Sequence, residues 1–300
     1  MEHTAYRAPA PFLSPPPRPR VWTVAVACLA VAALMAAQMG VTLMRAALIA
    51  AERAPDHKVT EAALREVLRE GATPSMLVVA ALASIATFAG VAFAAAALSP
   101  KRVVDRLSLG RSRAPAAMGA LAFAALLGWG TLCDAAREAL GLPSSAHEIA
   151  RMIHRSSPAE FAALVLLVGA GAGAAEEVFF RGYVQTRLRD RWGPRAAIGV
   201  TAVLFGVAHL DPVHSFFAVG AGVILGALAD GARSIRPAIA AHALNNAVSV
   251  VGSRFSDPDE RAGGAALAVL AVTSALALGF AGYAMAKAIR AADAPAPSAG

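Results

Sequence analysis

Charged residues are scarce in this chain of 300 residues: Asp, Glu, Lys and Arg make up 16% of it, whereas hydrophobic residues make up 57%. A soluble domain carries about 25% charged residues, which it needs to cover a water-facing surface. The shortage therefore excludes a soluble globular domain, and the high hydrophobic content excludes a disordered chain. The composition favours a protein that crosses a membrane several times.

Cysteines and several catalytic motifs are also scarce or missing. The two cysteines, Cys28 and Cys133, lie far apart in apolar runs, which excludes a disulfide framework and a zinc ribbon. The chain has neither the GxSxG motif of α/β-hydrolases nor the GxxxxGK[ST] motif of P-loop proteins. The net charge of +7 is typical of arginines held in the cytoplasmic loops of a membrane protein, so we expect no nucleic-acid partner.

Eight charge-free runs are candidates for membrane-crossing helices, which need about 20 apolar residues each. They are residues 21–44, 71–100, 114–133, 161–175, 196–210, 212–229, 237–253 and 262–286. The central four are the shorter and more polar ones, and their position between clear spans favours helices buried inside a bundle. The predicted fold class is therefore all-α, a polytopic transmembrane bundle of about eight spans.

Lysine and arginine predict the orientation of this bundle. With eight spans, the segments on the side of both termini carry 17 Lys and Arg, and the opposite loops carry 10. Because these residues favour the cytoplasm, both termini are expected there, in the plasma (inner) membrane. The proline-rich residues 1–20 and the Ala/Pro/Ser-rich residues 291–300 are expected to be disordered tails.

Two loops on the opposite side have the pattern of a short amphipathic helix. One helix begins at Thr60, and the apolar residues on its face are Leu64, Val67 and Leu68. The other begins at Ser145, where Glu148 completes a capping-box pattern. Both helices are expected to lie along the membrane surface.

Ionisable residues inside a span are rare, because one at mid-bilayer costs about 2.5–3.5 kcal/mol on insertion scales. This chain nonetheless places several polar residues in or beside its four central spans, and its first 150 residues hold nothing comparable. They are Glu176, Glu177, Arg181, His209, His242, Asn245 and Asn246. The functional part is therefore expected in the C-terminal half.

The first polar group, residues 175–182, has two adjacent acids and one arginine. On a helix, Glu177 and Arg181 are four residues apart, so they face each other and can pair. Glu176 points about 100° away and has no local partner. We therefore expect Glu177 and Arg181 to form a structural pair, Glu176 to be a general base, and the helix to continue to about Arg191.

The other two groups each place two side chains on one helix face. Phe205 lies one turn before His209, and His242 lies one turn before Asn246. With Glu176, the two imidazoles and the carboxamide form a hydrolytic set. Two mechanisms stay open. Either Glu176 and His209 activate a water directly, or His209 and His242 bind zinc, with Glu176 as a third ligand or as the base.

The order of these motifs, EExxxR, FxxxH and HxxxN, resembles the CPBP family of intramembrane proteases, also called the Abi family. The matching residues are Glu176, Glu177, Arg181, Phe205, His209, His242 and Asn246. That family includes type II CAAX prenyl proteases and lysostaphin-resistance-like membrane proteins. The resemblance covers roughly residues 158–252, which we take as the catalytic core. Residues 21–157 and 253–290 are then the flanking transmembrane helices.

The resemblance implies hydrolysis of a peptide bond within the membrane. In that family the residues matching Glu176 and His209 activate water, and those matching His242 and Asn246 form the oxyanion hole. The implied substrate is a membrane-associated protein or peptide, prenylated or not, and both a Zn²⁺-dependent and a metal-independent reaction are compatible with it. A non-catalytic scaffold or immunity protein of the same fold is the alternative. A proton-coupled transporter is disfavoured, because the polar residues crowd into one half.

Other polar and small residues are expected to be structural. His214 follows Pro212 in a tight turn and is expected to be an interface residue, and Asn245 is expected to form an interhelical hydrogen bond. Gly222 and Gly226 form a GxxxG pattern that predicts helix packing within the bundle. The arginines between residues 187 and 195 are expected to fix the orientation of the chain.

Overall fold

The structure is a computed structural model that describes residues 21–53, 73–143, 145–257 and 263–293, together with residues 60, 61, 63, 64 and 67. Within these residues the chain is helical and contains no β-strand, which confirms the predicted all-α class. The predicted tail of residues 1–20 lies outside the described residues. The last helix reaches Asp293, so only residues 294–300 of the other predicted tail lie outside them.

The helices of the described residues follow one another along the chain with short connections. They are α1 (Val21–Arg53), α2 (Pro74–Ala97), α3 (Val103–Arg106), α4 (Ala116–Ala139), α5 (Ser145–His154), α6 (Pro158–Leu164), π1 (Val165–Ala172), α7 (Gly173–Glu177), π2 (Val178–Gln185), α8 (Thr186–Val207), α9 (Pro212–Ala232), α10 (Arg236–Phe255) and α11 (Gly264–Asp293). The segments from α6 to the first part of α8 join end to end. They form the long helix that was predicted to pass through Glu176 and continue to about Arg191.

The long helix ends at a sharp reversal inside α8. Gly193 has φ 77° and ψ 169°, a conformation open essentially to glycine, and Pro194 follows it. The chain then folds back along itself, because the rings of Phe180 and Phe205 lie 5.2 Å apart on either side of the reversal. The run Pro158–Val207 is therefore a helical hairpin, in agreement with the two separate charge-free runs at 161–175 and 196–210.

Helix α9 runs back along the second arm of this hairpin, and small residues allow the close approach. A Cβ built on Gly222 would lie 2.9 Å from the Cα of Ala202, and one on Gly226 would lie 3.2 Å from Ile198 Cγ2. The GxxxG pattern thus packs α9 against α8, as predicted. Helix α9 in turn contacts the long helix through Gly222, whose carbonyl accepts a hydrogen bond from Arg181 Nη2 at 3.1 Å.

Within the described residues, six helical runs are long and apolar enough to cross a membrane. They are Trp22–Arg53, Pro74–Ala97, Ala116–Ala139, Pro158–Val207, Pro212–Ala232 and Gly264–Ala284. The run Pro158–Val207 is counted as one, although it folds back on itself. Helix α10 is not among the six, because it is not apolar enough over its length. The chain is an integral membrane protein, and the count of eight spans stays a prediction.

One of the two predicted amphipathic helices is described in full. Helix α5 buries Ile153 against Leu164 and Val250, so it packs on α6 and α10. Its first backbone amide, at Ser145, donates to the carboxylate of Asp211 in the turn between α8 and α9. The other helix is described only in part: Thr60 Oγ1 accepts a hydrogen bond from the Ala63 amide at 3.2 Å, and Leu68 lies outside the described residues.

Candidate active site

Glu177 and Arg181 form a buried ion pair on the long helix, as their spacing predicts. Arg181 Nη1 donates to Glu177 Oε1 at 2.6 Å, and neither side chain is exposed. The guanidinium carbon lies 4.5 Å from the centroid of the Phe205 ring, a cation–π contact. Through this ring and the Gly222 carbonyl, Arg181 ties the long helix to α8 and α9.

Glu177 has a second partner, contributed by α10. His242 Nδ1 lies 2.8 Å from Glu177 Oε1. Because an ionised carboxylate only accepts hydrogen bonds, Nδ1 carries the hydrogen. Glu177 therefore fixes the orientation and the tautomer of His242 as well as pairing with Arg181. The predicted pair with Arg181 is confirmed, and His242 is a second partner that the spacing within one helix did not predict.

Glu176 lies on another side of the same helix and keeps 15% of its side chain exposed. Its Oε2 atom is 3.7 Å from His242 Nε2, which is too long for a direct hydrogen bond. A separation of this size is one that a water molecule or a substrate atom can bridge. The acid predicted to be the base is thus close to an imidazole without forming the tight ion pair that its neighbour forms.

His209 lies just beyond the end of α8, in the turn that leads to α9. Its Nδ1 atom is 2.8 Å from the carbonyl oxygen of Phe205. Since a carbonyl only accepts, Nδ1 carries the hydrogen, and Nε2 of the neutral ring remains an acceptor. The Phe205 ring lies 4.9 Å from the His209 ring and 5.8 Å from the His242 ring, edge to face in both cases. Phe205 therefore positions both imidazoles.

Asn246 follows His242 by one turn of α10 and approaches the long helix at Gly173. A Cβ built on Gly173 would lie 3.3 Å from Asn246 Nδ2 and 3.4 Å from His242 Cγ. The absence of a side chain at Gly173 thus lets α10 bring its carboxamide and imidazole to the turn of the long helix that precedes Glu176. The structure assembles the predicted residues in one region, and their catalytic roles stay predictions.

His214 lies in the same region, beside His209. It was expected to be an interface residue, yet its ring stacks on that of His209 with centroids 4.8 Å apart and an angle of 30° between the planes. The two histidines are five residues apart across a turn. No helical spacing rule relates such residues, so the sequence carried no signal for the contact.

Asp211 holds this turn in place. Its carboxylate caps α9 by accepting a hydrogen bond from the His214 amide at 2.9 Å, and it also accepts one from the Ser145 amide of α5. Burial acts to raise the pKa of Asp211, but these backbone hydrogen bonds outweigh it and lower the pKa to about 2. The turn that carries His209 is therefore anchored by an ionised side chain.

The alternative zinc ligands are His209, His242 and Glu176. Within the described residues, no group of three His, Cys, Asp or Glu side chains is arranged to hold a metal ion. Nδ1 of each imidazole is held by a hydrogen bond, one to Glu177 and the other to the Phe205 carbonyl, which leaves Nε2 as the atom available to a metal or a water. The zinc-dependent mechanism stays a prediction, and we assign no step to a metal.

The helical core therefore brings an acid, two histidines and an asparagine together, the residue types that a hydrolytic site uses. Residues 158–248 match the family described as type II CAAX prenyl endopeptidase Rce1-like. This match confirms the resemblance seen in the motifs: the segment is similar to Rce1-like domains, which is consistent with a CPBP family intramembrane protease, and that family implies a peptidase. No curated protein and no solved structure matches the chain.

Proposed function

We propose that this protein is an intramembrane endopeptidase that hydrolyses a peptide bond of a membrane-associated protein or peptide, with Glu176 as the general base. The observation that carries the proposal is the difference between two adjacent acids. Glu177 is buried and bound to Arg181 and His242, whereas Glu176 is partly exposed and faces His242 Nε2 at 3.7 Å. A carboxylate outside a tight ion pair is the one able to accept a proton from water.

Glu176 and His209 activate the attacking water in this mechanism. The hydrogen bond from His209 Nδ1 to the Phe205 carbonyl leaves Nε2 as an acceptor, which suits it to orient a water. The proton of that water passes to Glu176 as its oxygen attacks the carbonyl carbon of the scissile bond. The carboxylic acid then returns the proton to the leaving amine, so the enzyme ends in its starting state.

His242 and Asn246 stabilise the oxyanion that forms on the substrate carbonyl. Asn246 Nδ2 is a neutral donor that needs no change of protonation. Because the Nδ1 hydrogen of His242 is committed to Glu177, Nε2 donates only when the ring carries both protons. Glu177 Oε1 lies 2.8 Å from Nδ1 of this ring, and Glu176 Oε2 lies 3.7 Å from Nε2. Glu177 is then a positioning residue for His242.

The family match and the membrane location support the proposed substrate class. The description of the matched family names a CAAX prenyl endopeptidase, so a prenylated C-terminal peptide is the first substrate to test and an unprenylated membrane peptide is the second. We further propose that both termini lie in the cytoplasm of the plasma (inner) membrane, on the basis of the distribution of Lys and Arg.

The mechanism is tested on the full chain in liposomes with a labelled prenylated peptide. We expect Glu176→Gln to lower the cleavage rate by about 10²–10⁴-fold, because it removes the general base. Asn246→Ala should lower it by about 10²–10³-fold, as the loss of one oxyanion donor does. The matched control is Asn245→Ala, which removes the neighbouring carboxamide and should cleave near the parental rate.

Three variants together can overturn the proposal. Suppose Glu176→Gln, His209→Ala and His242→Ala all unfold at the parental temperature and all cleave at the parental rate. The protein is then not this kind of enzyme, and a non-catalytic scaffold or immunity protein of the same fold takes its place.

Metal removal separates the two mechanisms that the sequence left open. We expect prolonged dialysis against a chelator to leave the cleavage rate unchanged, since the described residues present no three-ligand cluster. The measurement pairs the rate with elemental analysis of the dialysed protein. Loss of activity that added Zn²⁺ alone restores would instead establish the zinc-dependent mechanism.

A further inference from the structure

A second polar cavity opens away from the proposed active site. It has a volume of about 260 Å³ and lies beside α3, where π2 passes into α8 and where α9 turns into α10. Neither Glu176 nor His209 lines it. Its basic side chains outnumber its acidic ones, and two of its three acids are already paired, Asp230 with Arg189 and Asp105 with Arg102. The cavity is therefore suited to an anion.

Three buried polar atoms in the wall of this cavity have no hydrogen-bond partner among the described residues. They are Arg106 Nε, Arg181 Nε and Gln185 Oε1. Arg181 and Gln185 are only 1% and 3% exposed, so bulk water does not satisfy them freely. Leaving such atoms unpaired is costly. Two donors and one acceptor around one cavity call for a ligand that both accepts and donates hydrogen bonds.

The residues around the cavity indicate that the ligand is a lipid. Part of the cavity wall comes from α3, which follows the membrane-crossing run Pro74–Ala97, and from Arg233, which follows the run Pro212–Ala232. The ends of such runs are expected at the level of the lipid headgroups. A larger cavity of about 600 Å³ adjoins this cavity and shares Lys101, Arg106 and Asp190, and its wall includes Leu98, which is 89% exposed. A basic cavity next to an exposed apolar side chain offers a place for a charged headgroup and for the start of an acyl chain.

We propose that this cavity binds the headgroup of an anionic phospholipid, specifically a phosphate that bears a hydroxylated group such as glycerol. The phosphate oxygens accept hydrogen bonds from Arg106 Nε and Arg181 Nε, and a headgroup hydroxyl donates to Gln185 Oε1. Juxtamembrane basic residues attract anionic lipids in general. Here the unpartnered atoms add a specific geometry to that attraction.

Binding at this cavity reaches the proposed active site through Arg181. The same guanidinium that presents Nε to the cavity donates Nη1 to Glu177, and Glu177 holds His242. A headgroup that fixes Arg181 thereby fixes the carboxylate that orients His242. We expect peptide cleavage to be faster in vesicles that contain phosphatidylglycerol than in pure phosphatidylcholine. This coupling rests on the proposed function, whereas the binding site does not.

The binding test measures lipid retention on the full chain by native mass spectrometry, with phosphatidylglycerol, phosphatidic acid and phosphatidylcholine offered at equal concentration. Phosphatidylglycerol should be retained best, because phosphatidic acid lacks the headgroup hydroxyls and phosphatidylcholine is neutral overall. We expect Arg106→Gln to retain phosphatidylglycerol about five-fold more weakly. If that variant does not fold, Arg233→Gln removes another cation of the same wall.

The matched control is Arg195→Gln, which removes an exposed arginine two residues beyond the Gly193 reversal and outside both cavities. It should retain the lipid like the parent. Equal loss in both variants would show diffuse surface attraction and overturn the proposal, as would equal retention of phosphatidylcholine. Displacement of the lipid by inorganic phosphate would show a free-anion site and also overturn it. These measurements of lipid retention do not depend on peptide cleavage, so the binding site can fail or hold independently of the proposed peptidase activity.

Discussion

The helical hairpin Pro158–Val207 and the helices at the two ends of the chain differ in how much of each is enclosed by the rest of the protein. In the most apolar stretch of Pro158–Val207, 50% of the residues are buried inside the protein. The corresponding share is 22% in Trp22–Arg53 and 11% in Gly264–Ala284. A lipid-facing helix needs only to be apolar. A helix enclosed by others can hold charge, because its neighbours supply the partners. Helix α10 carries the polar residues His242 and Asn246, and it is not among the helices apolar enough to be identified as membrane-crossing from their composition.

The sharpest test of this difference removes the buried charge partner. Glu177→Ala leaves Arg181 in the protein interior without its carboxylate, and breaking a buried pair in this way costs about 3–5 kcal/mol. We expect the largest loss of stability here, measured as the free energy of unfolding in detergent micelles. Cleavage should fall as well, because His242 loses the group that orients it. Glu176→Gln is the control, since it should lose activity while unfolding near the parent.

If Glu177→Ala unfolds like the parent, the buried pair does not stabilise the core, and the enclosed helices hold together by apolar packing alone.

Close packing gives a second test, expected to be smaller. Gly222→Ala places a Cβ 2.9 Å from the backbone of Ala202, which must shift, and overpacking of this kind costs about 1–3 kcal/mol. The control is Gly279→Ala in the outer helix α11, where a Cβ meets nothing within 4 Å. That change should be neutral or stabilise by up to about 1 kcal/mol, through helix propensity. Equal effects of the two substitutions on the unfolding temperature would remove the distinction between enclosed and outer helices.

The smallest effect is expected at the turn between α8 and α9. Asp211→Ala removes the N-cap of α9 and should cost about 1 kcal/mol at pH 7. Because the folded pKa of about 2 lies below the ordinary value of 3.8, the carboxylate stabilises the fold above about pH 4, and this contribution is lost as the pH falls towards 2. The gap between the variant and the parent should therefore close between pH 4 and pH 2. A gap of constant size would mean that the charge of Asp211 is not what stabilises the turn.

Spacing within one helix predicted a good part of the site. The distance of four residues was enough to pair Glu177 with Arg181 and to place His242 and Asn246 on one face, because the α-helix itself sets that geometry. The motifs in order then predicted the family, which the match over residues 158–248 confirms. The long helix through Glu176 was also predictable, since no proline lies between Pro158 and Gly193.

Contacts between helices could not be predicted in the same way. Glu177 and His242 are 65 residues apart, and only the packing of α10 against the long helix brings them together. The stack of His214 on His209 depends on the path of a turn, for which no periodic signal exists. The charge-free runs nonetheless located inner helices as well as outer ones, since 212–229 and 237–253 lie within three residues of the bounds of α9 and α10.

The backbone of Gly193 has a consequence for the distance between the two groups proposed to share one water. Glu176 and His209 are separated by 33 positions, and along an unbroken α-helix they would stand about 50 Å apart. That exceeds the roughly 30 Å hydrocarbon thickness of a bilayer. Any side chain at position 193 would resist the φ of 77° that turns the chain around. A residue with no functional group of its own thus decides whether a base and an imidazole can serve the same reaction.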